Sequence, residues 1–212
     1  MQFRVAGALL AMTALVPAGA ALAHDASTVV PSERRTFNLN PGWRMTTGDI
    51  RGAEQPGFDD AAWEAVTLPN AFNEKQAFAR DIRELSTGIT WYRKRVTLPA
   101  GEGTRKAFLE FEGVRQAAEV WVNGKPVVLS EHGAMAFGAD ITDALRPGEN
   151  VIAVRVDNDW RYKERATGSG FQWNDRNFNV NYGGITRNVR LHLTGSVYQT
   201  LPLWSALGTN GQ

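Results

Sequence analysis

Residues 117–129, with the sequence AAEVWVNGKPVVL, decide the fold class. Apolar and polar side chains alternate from Ala118 to Val122, and this period of two residues is typical of a half-buried β-strand. Asn123 and Gly124 follow, and these residue types tolerate the two positive φ angles of a type I′ turn. A second apolar run then begins, so the segment predicts a β-hairpin.

Similar short runs continue on both sides of this hairpin. They are rich in Val, Ile, Trp, Tyr and Phe, are separated by Gly, Pro, Asn and Asp, and are not interrupted by a long amphipathic helix. In residues 151–156 every second position is apolar along one face, which predicts a strand. In residues 89–98 the apolar phase changes, which predicts a β-bulge near Trp91. Together the runs predict an all-β sandwich or barrel.

A run near the C-terminus predicts a structural role for Arg187. Ile185, Val189 and Leu193 share one face of a predicted strand, and the same phase turns Arg187 inward. A buried guanidinium needs a carboxylate or several carbonyl partners, because an unpaired buried charge is very unfavourable. We therefore expect Arg187 to be buried and paired.

Composition and charge indicate a folded domain and exclude an obvious polyanion-binding protein. Hydrophobic residues make up 43% of the 212 residues and charged residues 21%, which is ordinary for a globular chain. Lys and Arg total 23 against 22 for Asp and Glu, so no nucleic-acid partner is predicted. Because the chain has no cysteine, the fold must depend on its core rather than on disulfides.

The first 23 residues predict a signal peptide. Arg4 supplies a positive start, residues 5–16 an apolar stretch, and Ala21-Leu22-Ala23 a cleavage site of the small-x-small type. The apolar stretch is shorter than the roughly 20 residues of a spanning helix. We therefore expect an exported protein, periplasmic or extracellular, that has no membrane partner after cleavage and begins with a flexible leader, residues 24–35.

The sequence predicts no catalytic residue, no metal and no cofactor. Its three histidines are far apart, and there is no phosphate-binding glycine loop, dinucleotide fingerprint or nucleophile elbow. Glu110 and Glu112 share one face of a predicted strand, but alternating glutamates are typical of a solvated face.

Residues 157–184 have the strongest potential for ligand binding. Six aromatic residues are interleaved there with asparagine, aspartate and arginine. Aromatic faces pack against the C–H faces of sugar rings, and amide groups bind hydroxyls. Trp160, Trp173 and Tyr182 are therefore candidates for a stacking platform. The alternative is that these aromatic residues cap the core of the sandwich.

Eight short motifs follow one another along the chain. They are FDDAAW (58–63), VTLP (66–69), TGITWYRK (87–94), FEGV (111–114), VWVNGK (120–125), FGADIT (137–142), PGEN (147–150) and YGGITR (182–187). In this order the motifs resemble the amino-terminal sugar-binding domain of glycoside hydrolase family 2, the group of the β-galactosidases, β-glucuronidases and β-mannosidases. The resemblance covers nearly all of residues 36–195.

The resemblance implies a jelly-roll, galactose-binding-like β-sandwich over residues 36–195. It also implies that 196–212 are a linker and the first strand of an immunoglobulin-like domain. In the family the catalytic glutamates lie in a later barrel, so no catalytic role is implied here. Some members use the loop before the Gly-Ile-x-Arg segment to bind sugar or sodium. The matching positions are Asn177 and Asn179, whose amides permit hydroxyl binding.

Three functional hypotheses result. The first is the non-catalytic, sugar-binding N-terminal region of an exported family 2 glycosidase of the β-galactosidase type, an enzyme that hydrolyses O-glycosyl bonds. Its partners would be a β-galactoside-type carbohydrate and the remaining domains of the larger enzyme. The second is a free-standing carbohydrate-binding module, and the third is a structural sandwich that docks other domains or subunits.

Overall fold

The computed structural model describes six parts of the chain, residues 34–77, 87–98, 105–133, 135–170, 182–195 and 197–198. The chain divides into two units, Met1–Ser32 and Glu33–Gln212, and every described residue belongs to the second. The signal peptide predicted for residues 1–23 therefore lies outside the described residues and stays a prediction. The same holds for most of the predicted start of a next domain, 196–212.

Short strands dominate the described part of the chain. The elements are β1 (Arg35–Asn38), β2 (Trp43–Thr47), β3 (Glu64–Val66), β4 (Asn70–Ala71), α1 (Glu74–Ala77), β5 (Ile89–Thr97), β6 (Lys106–Phe111), β7 (Ala118–Val122), β8 (Lys125–Ser130), β9 (Phe137–Asp140), a 3₁₀ turn (Thr142–Ala144), β10 (Glu149–Asp157), β11 (Gly184–Ile185) and β12 (Val189–Thr194).

The strands form two sheets and a two-stranded ribbon, with antiparallel pairing throughout. The six-stranded sheet has the order β3-β2-β5-β10-β7-β8, the four-stranded sheet has the order β1-β12-β6-β9, and β11 pairs with β4. The main core contains buried side chains of both sheets, such as Tyr92 and Val154 from one and Leu109 and Leu191 from the other. This architecture confirms the predicted all-β sandwich of the jelly-roll type.

The predicted hairpin is formed by β7 and β8. Asn123 and Gly124 have φ angles of 52° and 79°, both positive, as a type I′ turn requires. The Asn123 side chain also holds the turn: its Oδ1 accepts from the Val151 backbone N–H at 2.9 Å, and its Nδ2 donates to the Ala144 carbonyl at 2.8 Å. These bonds tie the hairpin to β10, its neighbour in the sheet, and to the 3₁₀ turn.

The bulge predicted near Trp91 is wrong. Every residue of β5 is described, and β5 pairs with β10 in unbroken register along its whole length. Trp91 and Tyr92 are both buried, and they belong to separate hydrophobic clusters. The apolar phase changes because residues 49–63, here called the covering segment, bury the outer face of the six-stranded sheet. A register shift occurs instead between Val120 and Trp121.

Beneath the covering segment lies a second, smaller hydrophobic cluster. Trp91 stacks on Trp121 with ring centroids 5.4 Å apart, and Phe58 lies 5.5 Å from Trp63 by the same measure. Ala153 of β10 is fully buried in this cluster. The strand predicted from residues 151–156 is therefore confirmed, but it is buried on both faces rather than one.

A buried guanidinium connects the covering segment to the sheet. Arg93 of β5 has no exposed surface, and its Nε donates to Oδ2 of Asp60 at 2.8 Å. Its two Nη atoms donate to the backbone carbonyls of Ala53, Gln55 and Phe58. One side chain of the sheet thus binds four residues of the covering segment.

Arg187 is exposed, which contradicts the inward position predicted for it. β11 ends at Ile185 and β12 begins at Val189, so the run is interrupted by a bend that contains Arg187. The alternation of faces does not continue through a bend, although Ile185, Val189 and Leu193 are buried as predicted.

Glu110 also differs from its predicted position on a solvated face. The residue is only 9% exposed, and its Oε2 lies 2.7 Å from Nε2 of His192. The Nδ1 of His192 lies 3.0 Å from Oγ1 of Thr36. Glu110 and His192 therefore form a buried polar pair on the four-stranded sheet.

Gly183 and Gly184 allow the chain to return closely to the sandwich. Gly184 has a φ of 126°, and a Cβ at this residue would collide with the Tyr92 hydroxyl and lie 2.7 Å from the Asn70 carbonyl oxygen. A Cβ on Gly183 would collide with the side chain of Asn158. Only glycine fits these positions without displacing the buried groups around them.

We expect Asp60→Asn to destabilise the fold by roughly 3 kcal/mol, because it removes the charge that balances the buried Arg93. Burial raises the pKa of the Asp60 carboxyl, but hydrogen bonds and charges from Arg95 and Arg93 outweigh burial and leave this pKa below its ordinary value. The stabilisation is thus complete above the unfolded pKa of about 4 and is lost as pH falls through the lower folded pKa. Denaturant unfolding of the full chain at a series of pH values measures this loss.

Asp59→Asn is the matched control for Asp60→Asn. Asp59 is exposed, and its Oδ1 accepts from the Ala61 backbone N–H at 3.0 Å, which an asparagine oxygen at this position also does. Equal losses of stability in the two variants would contradict the role assigned to the Asp60 charge.

Gly184→Ala should cost several kcal/mol of stability, since it combines a positive φ with collisions against Tyr92 and Asn70. Gly148→Ala is its control, because Gly148 has a φ of 81° but no atom within 4 Å of the place that a Cβ would occupy. We expect this control to lose about 1 kcal/mol, the cost of the left-handed backbone alone. Thermal unfolding compares them, and similar melting temperatures would refute the close approach at Gly184.

Candidate functional site

A cleft of about 410 Å³ lies beside the ribbon of β4 and β11. Its lining combines polar, charged and aromatic side chains with small residues. The lining residues are Pro69, Asn70, Ala71, Glu74, Gly113, Arg115, Gly133, Tyr182, Thr186 and Arg187. The cleft is therefore built from four separated parts of the chain that meet only in the folded protein.

The β4 side of the cleft contributes Asn70 and, from α1, the exposed Glu74. The Tyr92 hydroxyl donates to Oδ1 of Asn70 at 2.9 Å, which fixes the orientation of this amide. Burial raises the pKa of Tyr92 far above its ordinary value, so its hydroxyl remains a donor. β4 pairs with β11, and just beyond the two strands the Phe72 N–H donates to the Gly183 carbonyl at 3.0 Å.

Two arginines line the cleft from the neighbouring segments. The Arg115 backbone exchanges two hydrogen bonds with Gly184, at 2.9 and 2.8 Å, so this arginine is anchored beside β11. Arg187 lies across Gly113, where its Cδ is 2.9 Å from the place that a Cβ on Gly113 would occupy. Burial lowers the pKa of Arg115, but an arginine keeps its charge at neutral pH.

The side chains around this cleft suit a ligand rich in hydroxyl groups. Asn70 and Thr186 combine donors with acceptors, Glu74 accepts, and the two guanidiniums donate in fixed directions. Tyr182 adds an aromatic face against which a ring can pack. A concave site with several directed polar groups and an aromatic wall is the usual form of a small-ligand site.

The residues predicted to bind sugar are divided by the structure. Tyr182 lines the cleft, whereas Trp160 lies half-buried in the turn after β10 and is not among the lining residues. Trp173, Asn177 and Asn179 lie outside the described residues, so their binding roles stay predictions.

Sequence reasoning missed Asn70, Glu74 and Arg115 as members of the site, and it placed Arg187 in the interior. Asn70 directly follows the VTLP motif and Arg115 directly follows FEGV, while Arg187 ends YGGITR. Positions at or directly after the ends of these motifs were therefore the sequence signal that could have identified these site residues. Their meeting at one cleft depends on the pairing of β4, β11 and Arg115 across long sequence separations.

A second cleft of about 480 Å³ is lined in part by Asp49, Asp157 and Asp159. Burial raises the pKa of Asp157, although the Asp159 backbone N–H and the nearby Arg155 oppose this rise. These acids are already engaged, because Arg155 pairs with Asp49 and Asp157, and Arg161 pairs with Asp159. Across the described ranges, no cluster of three or more His, Cys, Asp or Glu side chains is arranged to hold a metal ion.

The described helices also include none with the length and apolar character needed to cross a membrane.

Comparison with known proteins relates the chain to glycosidases. A β-glucuronidase from Formosa agariphila is 36% identical over 86% of this chain and 19% of the relative. A β-galactosidase from Bacteroides ovatus is 33% identical over 82% of this chain and 20% of the relative. The chain thus spans about a fifth of the length of these curated relatives.

Solved structures show the same relationship. A β-glucuronidase of glycoside hydrolase family 2 superposes with a TM-score of 0.73 at 34% identity, over 86% of this chain and 19% of that one. A β-glucuronidase from Bacteroides uniformis gives a TM-score of 0.66 at 30% identity, over 76% of this chain and 18% of that one. Residues 26–195 match the family described as glycosyl hydrolases family 2, sugar binding domain. The chain therefore belongs to glycoside hydrolase family 2 and contains its sugar-binding domain.

Proposed function

We propose that this chain is the non-catalytic sugar-binding region of an exported β-glycosidase that acts on β-galactosides or β-glucuronides. The observation that carries the proposal is the cleft beside β4 and β11, whose lining combines hydroxyl-binding groups with the aromatic face of Tyr182. Relatives named β-galactosidase and β-glucuronidase support the two substrate classes.

In this proposal the bond-breaking groups belong to the remaining domains of the larger enzyme. Two facts support the assignment of catalysis to the other domains. The matching family is described as a sugar-binding domain, and the matched region is about a fifth of the relatives named as enzymes. The domain then acts by binding and orienting the sugar, while hydrolysis requires the other domains as partners.

The export part of the proposal rests on residues 1–23, which have the three regions of a signal peptide. After cleavage the chain would be released to the periplasm or the medium.

Tyr182→Ala should weaken sugar binding several-fold, because it removes the aromatic wall of the cleft. Isothermal titration of the full chain with methyl β-D-galactoside and methyl β-D-glucuronide measures this effect. For such small ligands we expect a dissociation constant on the order of 1 mM. Trp160→Ala is the aromatic control outside the lining and should keep the affinity.

The melting temperature of each variant is measured in parallel, so that affinities are compared between folded proteins. Binding of neither sugar, or equal losses in the Tyr182 and Trp160 variants, would contradict the assignment of this cleft. Chromogenic β-galactoside and β-glucuronide assays accompany the titrations, and turnover by this chain would refute its non-catalytic role.

Export is tested separately by expression of the chain in a bacterial host with an intact secretion pathway. We expect mass spectrometry of the exported protein to find His24 as the first residue. Ala23→Arg should block this processing, because the cleavage site requires a small residue. Ala20→Ser is a conservative control next to the site, and an unprocessed wild-type chain would overturn the export proposal.

A further inference from the structure

The outer face of the four-stranded sheet is buried, although it points away from the main core. Along β6 and β12 the side chains of the core alternate with side chains that point outward. Four of the outward side chains have little exposed surface. They are Phe108 (4%), Glu110 (9%), His192 (7%) and Thr194 (2%). On an open sheet face such side chains would be in contact with water, so a further part of the protein covers this face.

Phe108 lies at the centre of this covered area. It pairs in register with His192, which is in contact with Glu110 on the same face. Within the described part of the chain, Phe108 belongs to neither of the two hydrophobic clusters. Its burial is therefore explained neither by the packing of the two sheets nor by the covering segment.

Tyr198 shows from which direction the cover comes. Its ring packs against that of Phe108, with centroids 5.1 Å apart. β12 ends at Thr194, which pairs with Lys106, whereas Phe108 lies farther back along the sheet. The chain that follows β12 therefore turns back over the outer face of its own sheet.

One tyrosine ring is too small to cover the whole area. From Thr194, beside Lys106, to Glu110 the area extends over four residues of β6, which is about 13 Å. Val197 adds little to the cover, because it is 93% exposed. A segment that continues beyond Tyr198 is needed.

The sequence after Tyr198 suits this position. Residues 199–212 contain no charged residue, and the apolar run Leu201-Pro202-Leu203-Trp204 comes soon after Tyr198. In extended conformation the six residues 199–204 reach roughly 20 Å, whereas the four strands of the sheet are about 14 Å wide between the outer axes. The segment is thus apolar enough and long enough to cross the sheet.

The charges of this face also favour an uncharged occupant. Lys106 pairs with Asp140 at 3.2 Å, and Arg190 pairs with Glu112. These charged groups already satisfy one another. The leader, residues 24–33, also ends close to this sheet, but it contains two carboxylates and fits the face less well.

We propose that residues 199–204 cross the outer face of the four-stranded sheet and cover Phe108 and its neighbours, as the covering segment does for the six-stranded sheet. In an extended segment every second side chain lies on the same side, so Trp204 would share the side of Tyr198 and face the sheet. The chain would then continue from the side of the sandwich opposite the covering segment. This inference does not depend on sugar binding at the cleft.

Photocrosslinking in the full chain tests this position directly. In the variant Trp204→p-benzoylphenylalanine, irradiation joins the introduced ketone to a C–H group that it touches. We expect mass spectrometry of the monomeric product to find the crosslink in peptides of β6 or β12. Val197→p-benzoylphenylalanine is the matched control and should give several-fold less of this product, because Val197 is exposed.

The other possible occupants give different products. A crosslink between two chains would show that a second copy covers the face and would overturn the proposal. Val29→p-benzoylphenylalanine tests the leader, and its crosslinking to β6 or β12 in place of the Trp204 variant would also overturn it. So would a Trp204 variant that forms no crosslink to these strands.

Melting temperatures of the full chain provide an independent measurement. Trp204→Asp should lower the melting temperature by about 5 °C, because it places an unpaired charge in an apolar contact. Asn210→Asp introduces the same charge farther along the tail and should leave the melting temperature unchanged. An equal effect of the two variants would contradict the proposed contact.

Double variants locate this contact on the sheet. Trp204→Asp should cost less in a Phe108→Leu background, because the effects of residues in contact are not additive. Trp121→Leu is the control background, since Trp121 packs in the cluster beneath the covering segment. There the full cost of Trp204→Asp should remain, and equal costs in both backgrounds would overturn the assignment of Phe108.

Discussion

The buried charge of Arg93 is the constraint on which much of this structure depends. A guanidinium without exposed surface requires a full set of partners, and these come from Asp60 and from carbonyls of the covering segment. The pair explains why FDDAAW and TGITWYRK occur together, since the first motif contains Asp60 and the second contains Arg93. Phe58, Trp63 and Trp91 of these motifs then help to bury the outer face of the sheet.

This outer layer buries the outer face of the central parts of β5 and β10, so both faces of these parts are covered. Tyr92 is one of the side chains on the main-core face of β5. The Tyr92 hydroxyl connects this core to the cleft, because it donates to Oδ1 of Asn70 at the edge of the ribbon. The close approach of Gly184 to the same hydroxyl brings Arg115 and Arg187 beside Asn70. The candidate site is thus an extension of the core rather than an independent surface loop.

Features that depend on residues a few positions apart could be predicted from the sequence, whereas features that depend on contacts between distant segments could not. The β7–β8 hairpin was predictable, because alternation and the turn residues Asn123 and Gly124 act within a few positions. The bulge near Trp91 was wrong because a strand with two buried faces loses its period of two. The inward position of Arg187 failed for a related reason, since a local phase was extended across a bend that separates two strands.

By itself the sequence determined the all-β class, the order of the motifs and the resemblance to family 2, because composition, turn residues and motif order are properties of the linear sequence. It also pointed to Tyr182 through the aromatic richness of its segment. Only the tertiary structure decided that Asn70, Arg115 and Arg187 meet at one cleft and that Trp160 is not among its lining residues. The physical reason is that this meeting depends on antiparallel pairing between segments more than 60 residues apart.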